Sequence, residues 1–178
     1  MKAMTYGEAR QIARDLAKDT LENYWPTGSY PVDPVEIARH AGIEVYTSQL
    51  GTDTWGMLVG GDNNVTASRG LGDGYKRQRF SAAHELGHYM THTTSDERLA
   101  DYVKAIPVGK GYKDKRSDAG RGNLFEVIAN EFAGSLLMPE SELRRMTKAG
   151  ESNISIANTF RVSVDAVAYR RKILGLWW

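Results

Sequence analysis

Cysteine is absent from the 178 residues. That excludes disulfide cross-links, thiolate metal sites and a cysteine nucleophile, so any metal must be held by His, Asp or Glu. No run of about 18 apolar residues occurs, so no segment reads as membrane-spanning. The opening stretch MKAMTYGEARQIARDLAKDT carries acids and lacks the apolar core and cleavage site of a signal peptide. The expectation is therefore a cytoplasmic protein. Neither sign of charge dominates: 23 Lys+Arg against 22 Asp+Glu give a formal net charge of +1. Such balance gives no global reason to expect a membrane surface or direct nucleic-acid binding. Internal repeats and long low-complexity segments are also missing.

What is there reads mostly as helix. Thr5 and Glu8 form a capping-box pair ahead of Ile12, Ala13, Leu16 and Leu21 at near-helical spacing. A shorter helix starts at Asp33, with Pro34 in its first position and Gly42 as its stop. Residues Ile43 to Tyr46, Thr54 to Val59 and Asn64 to Ala67 read as short strands between Gly, Asp and Asn turns. Helical character returns from Tyr75 to about His92, while Leu99 to Ile106 is a weaker helical candidate. The stretch from 107 to 122, rich in Gly and charge, reads as a mobile loop. A strong helix follows from Asn123 to Met138 and a short one from Ser141 to Lys148. Two more run from Ile154 to Phe160 and from Ser163 to Leu174. This pattern predicts an α+β fold, with residues 1–150 as the main domain and 151–178 as a helix-turn-helix-like pair packed on it. The apolar tail Leu176-Trp177-Trp178 is expected to pack on the body.

One motif carries chemistry. His84-Glu85-Leu86-Gly87-His88 is an HExxH sequence. Helical positions four apart lie about 6 Å apart along the axis on nearly one face, so two imidazoles can meet a single ion. Glu85 sits beside that ion rather than on it, which suits a general base acting on water. Chance produces such a motif at times, but here it falls on a helix, as the chemistry requires, with Phe80, Ala83, Gly87 and Met90 forming its buried side. Gly87 is a poor helix former; its presence points to close approach of a ligand or of another helix.

A catalytic zinc commonly has three protein ligands. His92 lies a further turn along, where a straight helix does not wrap three residues around one ion. Thr91 and Thr94 rule out the HExxHxxGxxH arrangement. His40 sits near a helix end and reads as a surface or capping residue. In the second strong helix, Glu126 and Asn130 share one face amid Leu124, Val127, Ile128, Phe132, Leu136 and Leu137. A carboxylate there is costly unless paired or metal-bound. Glu126 as third ligand with Asn130 as its partner is one solution; an ion pair with Arg79 is the other. Glu131, well round the helix from Glu126, reads as solvent-facing or ion-paired.

The paired stretches RQRFSAAHELGHYMTH and FEVIANEFAGSLLMP resemble the ImmA/IrrE family of zinc metallopeptidases. PVDPVEIARHAGIEVY and ISIANTFRVSVDAVAYRRKILGL extend the likeness over most of residues 30 to 176. The resemblance implies a zincin-like fold with a small mixed or antiparallel sheet packed on the HExxH helix. It also implies Zn2+ held by His84, His88 and Glu126, with Glu85 as catalytic base. Its substrates would be helix-turn-helix repressors or antitoxin-type partners, cleaved to relieve repression. Tyr89, His92, Tyr102 and Tyr112 are candidates for stabilising the oxyanion, and the edge of the Trp55 to Val59 strand is a candidate track for an extended substrate. Two other readings stand beside this one. The first is a DNA-binding regulator using Arg161, Arg170, Arg171 and Lys172. The second is a toxin–antitoxin component in which the metal is structural.

Overall fold

Helix α1 (Tyr6–Tyr24) begins where its capping box closes. Thr5 Oγ1 accepts from the Glu8 N–H at 3.2 Å, and the Glu8 carboxylate accepts from the Thr5 N–H at 2.7 Å. Two N–H groups that a helix start leaves without partners are satisfied in this way. Ala9, Ile12, Ala13 and Ala17 form the buried stripe. Helix α2 (Pro34–His40) is capped by the Asp33 side chain, which accepts from the N–H groups of Val35 and Glu36. Gly42, at φ +76°, takes the left-handed turn that follows it. The structure is a computed structural model. It describes residues 4–47, 54–61, 64–69, 74–99, 111–115 and 124–176, with backbone alone at 44–47, 54–61, 64–69 and 111–115.

Four strands, β1 (Glu44–Thr47), β2 (Thr54–Gly61), β3 (Asn64–Arg69) and β4 (Gly111–Lys115), make one sheet in the order β1-β3-β2-β4. β1 runs parallel to β3, and β2 runs antiparallel to both β3 and β4. β4 falls within the stretch expected to be a loop. Its sequence has no alternating pattern because pairing is through main-chain groups, which any non-proline residue supplies. Its presence also corrects the substrate track expected along β2: that strand is paired on both sides, so its edge is filled by the chain itself. Leu99 to Ile106 beyond Leu99, the rest of the 107–122 stretch, and Trp177 and Trp178 lie outside the described residues.

Helix α3 (Tyr75–Thr93) carries the HExxH motif, and β2 and β3 pass beside it. α4 (Leu124–Leu137) packs on both α3 and α1. α5 (Glu140–Lys148), α6 (Asn153–Phe160) and α7 (Val164–Ile173) complete the chain order. In the core whose side chains are described, the α+β class expected from the sequence is overturned, while the sheet itself is present. Among residues whose side chains are described, 72% are helical and none lies in a strand. The described core is built by helices and their flanking turns, from Ile12 and Ala13 through Leu86, Ile128, Phe132 and Leu136 to Phe160 and Val167. The physical reason is that the apolar stripes of α1, α3 and α4 bury one another, so the site-bearing helix finds its packing partner in another helix.

The α3–α4 approach is set at Gly87. A Cβ there would lie 2.9 Å from Phe132 Cδ1 and 3.2 Å from Ala129 Cα. Gly87 is therefore present for tight helix packing.

Four arginines fix the remaining elements. Arg79 of α3 donates to the carbonyls of Val32, Phe160 and Arg161, the last two at 2.9 and 3.1 Å. Arg161 holds the left-handed C-cap of α6 at φ +53°. Arg14 of α1 and Arg170 of α7 both donate to Glu131 Oε1, at 2.7 and 2.5 Å. Glu131 is thus ion-paired and buried. Arg170 also donates to Ser135 Oγ, and Arg171 to Thr147, Asn153 and the Glu151 carbonyl. The guanidinium groups of Arg170 and Arg171, read above as possible DNA contacts, are engaged within the chain.

Gly87→Ala is expected to destabilise the fold by about 1–3 kcal/mol through overpacking, outweighing a propensity gain of up to about 1 kcal/mol. Urea unfolding followed by far-UV circular dichroism measures this. Glu131→Ala leaves the Arg170 guanidinium buried without its anion and is expected to cost about 3–5 kcal/mol in the same assay.

Candidate metal centre

α3 and α4 face each other with three ligand-type side chains between them. His84 and His88 share one face of α3 because they are four residues apart. Glu126 enters from the first turn of α4. The Nε2 atoms of His84 and His88 are 3.1 Å apart. Glu126 Oε1 lies 3.1 Å from His88 Nε2, and Glu126 Oε2 lies 3.4 Å from His84 Nε2. Ligand atoms of all three residues fall within 4.8 Å of one another. Two zinc–ligand bonds of about 2.0–2.1 Å at a tetrahedral angle set their donor atoms about 3.3 Å apart. The observed separations fit one ion of that size.

The protonation pattern fits as well. His84 Nδ1 lies 3.2 Å from Asn130 Oδ1. An amide oxygen only accepts, so Nδ1 donates to it and Nε2 is the ring nitrogen turned towards His88 and Glu126. Among the described residues, Glu126 Oε1 is buried and accepts no hydrogen bond, although His88 stands beside it. A buried carboxylate oxygen in that position is costly unless a cation satisfies it. Burial alone would raise the Glu126 carboxyl, but the neighbouring His84 and His88 outweigh burial and hold its pKa down to about 2. It is an anion, as ligation requires. Glu85 is 2% exposed and follows His84 directly, about 100° round the helix. It therefore stands next to the cluster without belonging to it.

The other candidates go elsewhere. His92 stacks on Phe125 with ring centroids 5.6 Å apart. His40 Nδ1 lies 3.1 Å from the Tyr24 carbonyl. Arg79 serves the carbonyls named above, so the ion pair considered for Glu126 is not made. Tyr89 is half-buried near Tyr24, and burial raises its pKa. Tyr102 lies outside the described residues, and only the backbone of Tyr112 is described. Asn130 corrects the sequence reading: it is exposed and bonded to His84 instead of to Glu126. Phe80, expected on the buried side of α3, is 38% exposed and lies 6.4 Å from the His84 ring. One turn separates Phe80 from His84, which is the sequence signal that could have placed it at the site.

Residues 73–172 match the family described as the IrrE N-terminal-like domain. The match covers more than half of the chain and includes both helices of the cluster. The family points to a metallopeptidase. Among solved structures, a Mycobacterium tuberculosis transcriptional regulator superposes with a TM-score of 0.54 at 16% identity, over 94% of this chain and 52% of that one. At that identity the likeness shows the fold alone, and this chain spans about half the length of the regulator. No curated protein matches. No helix among the described residues is long and apolar enough to cross a membrane.

Asn130→Ala removes the acceptor that orients the His84 ring. The expected result is an affinity for Zn2+ about 10–100-fold weaker, with the fold retained. Competition titration against a chromophoric chelator measures it.

Proposed function

We propose that this chain, which belongs to the IrrE N-terminal-like domain family, is a zinc metallopeptidase with His84, His88 and Glu126 as metal ligands and Glu85 as general base. Its proposed substrate is a helix-turn-helix repressor or an antitoxin-type partner, as the resemblance to ImmA/IrrE proteins suggests. The observation that carries the reading is the convergence of two imidazole nitrogens and a buried, ionised carboxylate from facing helices, with a second buried carboxylate adjoining.

The ion, when bound, supplies Lewis acidity that acidifies water and polarises a carbonyl. The chain's own residues do the rest. Asn130 fixes the His84 ring so that Nε2 faces the cluster. Glu126, held ionised, offsets positive charge at the site. Glu85 takes a proton from the attacking water as its oxygen bonds to the scissile carbonyl carbon. It returns that proton to the amide nitrogen as the C–N bond breaks, leaving a carboxyl and an amine. Confinement beside the cluster holds Glu85 within reach of both atoms without making it a ligand.

Purified wild-type chain is expected to contain about one zinc per molecule, and His88→Ala and Glu126→Ala to lose it. Elemental analysis after gel filtration is the check. Glu85→Gln is expected to keep the metal while losing cleavage by at least about 100-fold, measured on candidate repressors by mass spectrometry. Wild type without metal, or Glu126→Ala with undiminished metal, contradicts the assignment; full activity in Glu85→Gln removes the base.

A further inference from the structure

We propose that a groove along the outer strip of α4 is the path on which an extended, apolar-rich segment of the polypeptide substrate lies, to one side of the scissile bond. The proposal rests on the peptidase reading above and adds the chemistry of the substrate segment.

The groove has a volume of about 670 Å³ and opens directly onto the cluster, because Glu126 and Asn130 form one end of it. Its floor continues through Gly134 to Met138, at four-residue steps along a single strip of α4. The eight residues from Glu126 to Gly134 rise about 12 Å. An extended chain covers that distance in three or four residues. One wall is the start of α1, with Tyr6 and Arg10; the other is α7, with Ala166, Tyr169 and Ile173.

Three aromatic rings stand at this groove while exposed to solvent: Tyr6 at 45%, Phe80 at 38% and Tyr169 at 61%. Large exposed aromatics gathered along one cleft mark a binding surface, since they supply contact area at low entropic cost. The charges at the base are already matched, because Glu131 and Arg170 pair with each other. Apolar side chains are therefore the complement the groove selects. At Gly134 the floor is open: an added Cβ would meet nothing nearer than Arg170 Cδ at 4.0 Å. The sheet offers no competing place beside β2, whose two sides are taken by β3 and β4.

The test reads binding, so it does not depend on turnover. Full-length Glu85→Gln chain is titrated with two blocked tetrapeptides, acetyl-Ala-Leu-Phe-Ala-amide and acetyl-Ala-Ser-Gln-Ala-amide, and followed by ¹⁵N–¹H spectra. The apolar peptide is expected to move the Gly134, Tyr169 and Ile173 amide resonances and to bind about tenfold tighter than the polar one. Gly134→Leu, which fills the floor with a better helix former, is expected to weaken binding about tenfold, and Gly134→Ala to leave it within about twofold. Should Gly134→Leu fail to fold, Tyr169→Ala at the exposed wall decides, with an expected loss of about threefold.

Equal affinity for the two peptides, undiminished binding in the folded Gly134→Leu chain, or shifts confined to the β1 or β4 edge each overturn the proposal. Concentration-dependent shifts at Gly134 without peptide overturn it in favour of a second copy of the chain. Zinc content is measured on the same samples. Metal present with no selective binding refutes the groove alone, whereas selective binding without metal refutes the peptidase reading and leaves the groove as a binding site without the role of a substrate path.

Discussion

Everything at the candidate site depends on how closely α3 and α4 approach, and that distance is set by a missing side chain. With Phe132 and Ala129 directly over Gly87, the two helix backbones come near enough for short side chains to meet across the gap. Only then does a carboxylate from the first turn of α4 reach both imidazoles, at 3.1 and 3.4 Å. A wider separation would leave Glu126 buried without the histidines that keep it ionised. The glycine inside HExxH is thus a packing residue, and the spacing of the motif supplies the chemistry only because the packing brings its partner.

The same helix solves a second electrostatic problem on its other side. Glu126 and Glu131 are five residues apart, about 140° round α4, and both are buried. One faces α3 and its histidines. The other faces α1 and α7, where Arg14 and Arg170 converge on a single oxygen. Burying two carboxylates on one apolar helix is tolerable because each has cationic or ligand-type company on its own side. The division also keeps their roles apart, because neither set of partners can substitute for the other.

Much of this was legible in the residues, and the rest was hidden for identifiable reasons. The caps at Thr5–Glu8 and Asp33 announce helix starts because they satisfy backbone groups locally, over three residues. The HExxH spacing and the first acid in FEVIANEFAGSLLMP point to the three clustered side chains for a similarly local reason. The helical make-up of the described core is not legible because strand-like segments in sequence carry no information on which element buries the site-bearing helix; α4 does that. β4 left no side-chain pattern because its pairing is carried by the backbone. The partner of Asn130 is not legible because sharing a helix face with Glu126 does not tell which group across the interface it meets, here His84. Phe80 reads as buried in sequence because periodicity marks an apolar face without distinguishing a core from a cleft beside it.

The C-terminal helices show how misleading composition is when burial is unknown. Arg161, Arg170, Arg171 and Lys172 look, in sequence, like one basic surface. In the fold, Arg170 is 2% exposed and joined to Glu131 and Ser135, and Arg171 ties α7 back to residues 147–153. Meanwhile Arg79 of α3 holds the carbonyl end of α6. These contacts give α7 a fixed position relative to α3 and α4, and so relative to the cluster. A wall that must stand a set distance from reacting atoms needs such ties, since rotation of α7 about its axis would carry Tyr169 and Ile173 away from α4. Arg79, Arg170 and Arg171 are therefore the fastenings of that wall: their hydrogen bonds to Phe160, Glu131 and Thr147 hold in place the face of α7 that borders the groove.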